Sequence, residues 1–451
     1  MSPPHGGMLG NVRKMEHRDN NRVIVYSVIV LAGLFVFAVY ALAGSHLWGL
    51  EYPVNSFLFL PEDRFMDFFH INALASGGRP YQDGSSYPPF ALFCAMLISK
   101  LIPGSEALDP FSVRDADSRG MLVMNLLYFF CVAVIGSVLA VRFLRYQNAK
   151  SDLVKKDGNI LKNKILPVTL LLGSVVFSAP MIYAYDRGNY LILCILFLFL
   201  FAFLYQKYPV LSALSLAVAS ALKIYPVILF LLFLLDRKWK PLFAGVFSGG
   251  IATFLTFFCF EGTLIENGKH FVWNLLNFTG GNPMTHVYYF RGAVGIRSLL
   301  AAPFLLFFQR IPEWLNISTA GVIAGIAVFV VVAVMCLREK RFERRILFLS
   351  LFMILFPAPS YYYNIIYLVA PVCLLLLKNE KLEWYIPVLT ALMMIPKNYL
   401  YISPLFDDIH VTVSAGHFLD PLFMCILLAL EFKRLFISIE KLPTEKRRLA
   451  V

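Results

Sequence analysis

From Gly321 to Leu337 the chain reads GVIAGIAVFVVVAVMCL, without a charge or an amide, and from Arg338 to Arg345 it reads REKRFERR. An apolar run of that length is close to the ~20 residues that cross a bilayer core. The basic cluster that stops it is what positive-inside placement puts on the cytoplasmic side. Solvent and direction are both readable in this one stretch.

Outward from it, Val23 to Ala43, Met121 to Val141 and Leu242 to Phe260 are runs of the same kind. The whole chain is 59% apolar, 15% aromatic and 15% charged. A soluble domain has roughly 45–50% apolar and about 25% charged residues, so a membrane is the expected solvent. The fold expected is an all-α polytopic membrane protein, one integral domain over 1–451, with no room for a soluble domain between the runs. Arg13, Lys14, Arg18 and Arg22 precede the first run. That run is long and lacks a small-residue cleavage site, so it predicts an uncleaved helix.

A net charge of +12 could suggest nucleic acid, but the basic residues cluster at helix ends rather than on one face. Membrane topology explains them, and no nucleic-acid partner is expected. The seven cysteines all lie in apolar stretches without paired spacing, which predicts neither a disulfide nor a metal site.

Basic connections assign the inner face: the tail 1–22, Arg142 to Lys164, Gln206 to Tyr208, Asp236 to Lys240, Arg338 to Arg345, Lys378 to Lys381, and the tail 433–451. Alternation places Gly44 to Tyr87, Tyr185 to Asn189, Glu261 to Gly295, Pro357 to Tyr363 and Ser403 to Gly416 outside. Pro88 to Ile102 and Ile296 to Gln309 are short, and counting either as a full crossing would turn a basic loop outward. Both are expected to be re-entrant or interfacial helices on the outer side, lining a cavity. Pro209 to Leu235 lies between two inner loops and has room only for a short helical hairpin, with its break at Leu222-Lys223-Ile224-Tyr225-Pro226. With that hairpin the count comes to about twelve crossings, both termini inside.

Lys223 at the hairpin tip costs about 2.5–3.5 kcal/mol to insert, which makes it a functional-site hypothesis. In the first outer loop Asp63 and Asp67 are one helical turn apart among Phe65, Phe68, Phe69, Ile71 and Leu74. A carboxylate held at the membrane surface suits a general base that takes a proton from an acceptor hydroxyl. A capped, solvated surface helix is the competing reading. Asp186-Arg187-Gly188-Asn189 breaks two apolar helices. It reads either as a tight polar turn or as a place where Arg187 joins Lys223 as a cation for phosphate.

The large outer loop holds His270, Trp273, Asn274, Asn277, Asn282, His286, Tyr288, Tyr289, Arg291 and Arg297. These suit a sugar or lipid headgroup, and an interfacial aromatic belt has the same composition. His286 is a candidate second base or substrate ligand. Ser360-Tyr361-Tyr362-Tyr363-Asn364 follows two prolines and reads as an interfacial anchor or as part of a site. Asp407, Asp408 and His410 form an acidic cluster too unspecific to predict a metal.

Three stretches carry a resemblance: an Asp soon after the first helix followed by Gly77-Gly78-Arg79-Pro80-Tyr81 and Tyr87-Pro88-Pro89-Phe90; Ala221-Leu222-Lys223-Ile224-Tyr225-Pro226 with Asp236-Arg237-Lys238-Trp239-Lys240; and Ser360 to Tyr367 with Pro371. Together they resemble glycosyltransferase family 87, of the GT-C superfamily of polyprenyl-phosphate-sugar-dependent enzymes. The interval from Asp63 to Gly77 fits that family's pattern better than the one from Asp67. Departures are Asp186-Arg187-Gly188-Asn189 where the family commonly has Gly-Gln-x-Asn, and tyrosines where it has a late His.

The resemblance implies a GT-C-like fold and an inverting, metal-independent hexosyl transfer, with mannose the leading sugar, on the outer face of a bacterial plasma membrane. The donor would be a polyprenyl-phosphate sugar, the acceptor a lipid or glycan, and no cofactor would be needed. Asp63 is implied as base and Asp67 as orienter or substitute. Lys223, Arg187 and either Arg291 or Arg297 would hold the phosphate. Asp186, Asn189, Tyr87, Tyr225, His286 and Tyr362 complete the expected substrate-binding set. The Pro88 segment would floor the cavity, with the lipid tail in a groove between helices. Two rival classes remain at this stage: a sugar or glycolipid transporter, whose broken helices also mark substrate paths, and a polysaccharide polymerase or ligase with a diphosphate-linked donor.

Overall fold

The structure is a computed structural model that describes residues 22–40, 42–43, 64–102, 109–116, 118–151, 160–280, 293–308, 310–357, 360–378, 382–397, 401–402 and 413–440. Asp63, Asn282, His286, Tyr288, Tyr289, Arg291, Asp407, Asp408 and His410 lie outside these residues.

The long apolar runs form helices where their composition predicts them. Among the described residues four helices are long and apolar enough to cross a membrane: α1 (Arg22–Tyr40), α4 (Ser118–Ser151, apolar over Ser118–Arg142), α10 (Trp239–Phe257) and α13 (Ile317–Arg338). A fifth crossing is possible through α5 (Ile160–Val176) and α6 (Ala179–Asp186), which meet at a 45° bend. Pro180 at the start of α6 explains the break, because it offers no N–H to continue the ladder of α5. The chain is an all-α, multi-pass integral membrane protein. A two-residue antiparallel pairing of Tyr401–Ile402 with Val413–Ser414 is a minor exception.

Between these lie shorter apolar helices. They are α3 (Pro89–Ser99), α7 (Leu191–Leu204), α8 (Pro209–Leu222), α9 (Leu231–Leu235), α12 (Ile296–Phe308), α14 (Phe342–Leu355), α15 (Val369–Leu376) and α16 (Tyr385–Met394). The eleven residues of α3 reach only about 16 Å at 1.5 Å per residue, half of a ~30 Å hydrocarbon core. Over the segment read as a hairpin, α8 ends at Leu222, Lys223 is extended, and a 3-10 turn over Tyr225–Phe230 runs into α9.

Packing follows side-chain size. On α10, a Cβ at Gly245 would come within 2.8 Å of the Ala213 carbonyl oxygen, and one at Gly249 within 3.3 Å of Ala217. Two small residues four apart on each helix thus let α8 and α10 approach backbone to backbone, the means by which helices associate without a hydrophobic drive. α14 is the hub, with every residue from Phe342 to Leu355 buried.

Polar contacts sort the connections onto two ends. At one end Arg345 pairs with Asp236, Arg344 with Glu431 and Glu383, Arg434 with Glu339, and Lys378 with Glu343. Arg344, Arg345, Asp236, Lys378 and Arg434 come from four of the connections that were grouped together by their basic charge. At the other end the segments after α1, α6, α10 and α14 meet: Phe65 N donates to Asp186 O, Glu261 N to Gly78 O, and Val294 N to Ser360 O.

Candidate active site

The site begins as a backbone clasp. Helix α2 (Met66–Ser76) is entered through Phe65 in the left-handed region, φ 60°. A bulky residue there is strained and persists only where its surroundings fix it. Here Phe65 N donates to Asp186 O at 2.7 Å and Asp67 N to Arg187 O at 3.0 Å. Gly188 makes the approach feasible: its φ is +64°, and a Cβ there would lie 2.8 Å from the Phe68 Cβ. The turn after α6 and the start of α2 are therefore stitched together by main chain.

That stitch delivers the side chains. Arg187 Nη2 donates to Asp67 Oδ1 at 2.6 Å, and Asn189 Nδ2 donates to Asp67 Oδ2 at 2.7 Å. Asn189 Oδ1 accepts from Leu191 N at 2.9 Å, which ties it to the start of α7. Asp67 thus has both oxygens engaged, and its orientation is set by two partners. Tyr190 on the same turn donates to Asn72 Oδ1 at 3.2 Å, bracing α2 from beneath.

Lys223 arrives from the hairpin. Its Nζ lies 4.7 Å from the centroid of the Tyr87 ring, a cation–π contact, and it interacts electrostatically with Asp67. Among the described residues no carboxylate comes within 4 Å of it. Tyr87 also interacts with Asp67 and Arg187, and Tyr363 with Asp67, Tyr87 and Tyr225. Burial, and after it the Asp67 carboxylate, push the Tyr87 phenol well above its ordinary range, so it is a neutral hydroxyl. Lys223, Tyr87, Tyr225 and Tyr363 are enclosed by the surrounding chain yet keep part of their surface accessible.

The structure therefore brings Asp67, Arg187, Asn189, Lys223, Tyr87 and Tyr225 together. Asp186 contributes its carbonyl to the clasp, and its carboxylate lies 3.9 Å from Arg64. Tyr362 is set one step back: its hydroxyl donates to Ile395 O at 2.7 Å and its ring meets Tyr183. Arg297 is elsewhere, its stem against Gly321 of α13, and no ion pair joins it to a described carboxylate. Asn274 on α11 (Leu264–Gly280) donates to Tyr81 O at 2.7 Å and Ser85 O at 3.0 Å, so it clamps the segment between α2 and α3. Among the described residues no three His, Cys, Asp or Glu side chains gather as metal ligands.

Two residues at this end, Lys397 and Asp420, were not named from the sequence, and they form a buried ion pair. Tyr363, read from the sequence only as part of the Ser360 to Asn364 stretch, stacks on Tyr183 and interacts electrostatically with Asp67. The signal for Lys397 was the one that marked Lys223, a lone cation beside an apolar run.

Compared with known families, residues 86–357, more than half of the chain, match the model of Glycosyltransferase family 87. The chain belongs to glycosyltransferase family 87. It is accordingly a membrane glycosyltransferase of the GT-C superfamily. No curated protein and no solved structure matches it. The family match takes in Tyr87, Arg187, Asn189, Lys223 and Tyr225, and begins after Asp63 and Asp67. In this family 87 chain, five of the six clustered residues thus come from the matched region, and the cluster is completed by a carboxylate ahead of it.

Proposed function

We propose that Lys223, Tyr87, Tyr225 and Tyr363 border a recess, as ligand sites do, that holds a polyprenyl-phosphate hexose, with mannose the leading sugar, and that the protein transfers the hexose to a hydroxyl of a lipid or glycan. The observation that carries this reading is the Lys223 ammonium, enclosed, without a described carboxylate partner, and beside the Asp67–Arg187 pair. An enclosed cation left without a protein counter-charge is complementary to a phosphate.

In the proposed reaction the acceptor oxygen bonds to the anomeric carbon as the bond from that carbon to the phosphate oxygen breaks, with inversion. The acceptor proton passes to a carboxylate, and polyprenyl phosphate leaves with the bonding pair. Asp63 is the proposed base, because Asp67 already accepts from Arg187 and Asn189 and suits an orienting part. Arg64, the neighbour of Asp63, lies 3.9 Å from Asp186, within reach of the same turn. Lys223 supplies the positive charge that the leaving phosphate needs, a stabilisation that is commonly the largest catalytic contribution. The step therefore calls for neither a metal nor a cofactor.

The wider setting belongs to the same reading. The shorter apolar helices, paired end to end, would complete a GT-C-like bundle of about twelve crossings, with both termini cytoplasmic and the recess on the outer face of a bacterial plasma membrane. His286 and Arg291 remain proposed substrate ligands, while Arg297, held against Gly321, would serve only if substrate reaches α12.

The test is incubation of purified protein with labelled polyprenyl-phosphate mannose and membrane lipid extract, followed by mass analysis, with a diphosphate-linked donor in parallel. A mannosylated lipid is expected from the monophosphate donor alone. Near-normal transfer by Asp63→Asn combined with Asp67→Asn, in folded protein, would end the carboxylate assignment.

A further inference from the structure

Lys397 and Asp420 form an ion pair at 2.7 Å in which the lysine side chain is 4% exposed and the aspartate 0%. Removing two charges from water costs several kcal/mol per ion, and apolar replacements of such pairs are often as stable or more so. Stability alone therefore does not account for this pair, and its surroundings indicate what it does.

Lys397 Nζ donates to Ile395 O at 2.9 Å, and Tyr362 Oη donates to the same oxygen at 2.7 Å. The ammonium also lies 5.6 Å from the centroid of the Tyr362 ring. One carbonyl is thus shared by the buried cation and the first tyrosine of the 3-10 turn Tyr362–Leu368. The next residue, Tyr363, stacks on Tyr183 with centroids 6.0 Å apart and interacts with Asp67 and Tyr87. Asp420 sits in the first turn of α17 (Leu419–Glu440). A Cβ at Gly416 would collide with Lys397 O, so the chain leading into α17 closes directly over the lysine.

We infer that Lys397 and Asp420 are positioning residues that lock the Tyr362-Tyr363 wall of the recess, a role that rests on the recess being the site of transfer. The pair touches none of the reacting groups. It fixes the Ile395 carbonyl, the carbonyl fixes Tyr362, and the backbone carries that constraint to Tyr363.

The test is a double variant, Lys397→Met with Asp420→Leu, compared with wild type for thermal stability, for kcat and KM with polyprenyl-phosphate mannose and lipid extract, and by cryo-electron microscopy with a bound antibody fragment. Expected are a Tm no lower than wild type, a map in which Tyr362 has left the Ile395 carbonyl, and kcat down about tenfold or more, since a 1 Å misplacement can cost 10²-fold. Tyr362→Phe, which leaves the pair intact, should give a similar kcat loss at unchanged Tm, and adding it to the double variant should cost nothing further. A map with Tyr362 still on Ile395 O overturns the inference whatever happens to transfer, as does wild-type kcat in Tyr362→Phe should the double variant not fold. If the map shows the wall displaced while Asp63→Asn, Asp67→Asn and Lys223→Gln variants transfer normally, the placement of the active site falls and the locking of the wall stands.

Discussion

Arg187 and Asp67, 120 residues apart in sequence, meet in an ion pair at 2.6 Å with 15% and 18% of their side chains exposed. The cation expected to help Lys223 hold phosphate is therefore engaged by the carboxylate expected to orient the acceptor. Lys223 is left as the cation without a described carboxylate within 4 Å.

Asp67→Asn removes the charge that holds Arg187 and leaves a half-buried guanidinium beside a neutral amide. The expected loss is about 1–3 kcal/mol of stability, the cost of unpairing a partly desolvated charged group, and at least tenfold in transfer. Differential scanning fluorimetry in detergent beside the mannosyl-transfer assay measures both. Wild-type values in the two together would show that the pair is ornamental.

Lys223→Gln keeps the stem over Tyr87 and removes the charge. Transfer is expected to fall by about 10²–10³-fold, the size of loss seen when one stabiliser of developing charge is removed. Tm should hold or rise, because the ammonium has no described counter-ion to lose. A drop in Tm with intact kcat per folded molecule would assign Lys223 to structure instead.

Gly188→Ala tests the clasp. The new Cβ meets Phe68 at 2.8 Å in a backbone with φ +64°, so the turn must shift away from Phe65. A destabilisation of about 1–2 kcal/mol from the left-handed strain is expected, together with reduced transfer. Unchanged thermal unfolding would mean that the turn has more freedom than its contacts suggest.

At the opposite end, burial pushes the Glu339 carboxyl up, and Arg341 and Arg434 more than cancel that, lowering it from 4.5 to about 2. A depressed carboxylate adds stability that is complete above its unfolded value and is lost as pH falls from there towards the folded one. The Tm should therefore decline as pH drops through about 4.5 towards 2, and Glu339→Gln should flatten that decline. Parallel acid profiles for wild type and variant would remove Glu339 from the explanation.

The membrane class and the long helices were legible because each depends on local composition: the run from Gly321 to Leu337 needs no partner to be read as a span. Lys223 stood out for the same reason, one cation inside an apolar hairpin. The Gly245 and Gly249 spacing signals a close helix contact, yet not that Ala213 and Ala217 receive it. Tyr363 looked like its neighbours until stacking on Tyr183 and proximity to Asp67 set it apart.

By itself the sequence determined the solvent, the sorting of connections by charge, the hairpin break and the family. These follow from runs of neighbouring residues meeting lipid or water. Only the tertiary structure decided that Asp67 belongs to Arg187 and Asn189, that Lys223 is left without a described counter-ion, and that Lys397 is locked to Asp420. Charge pairing in a low-dielectric interior depends on distances of a few ångströms between segments far apart in the chain, and no local pattern encodes those distances.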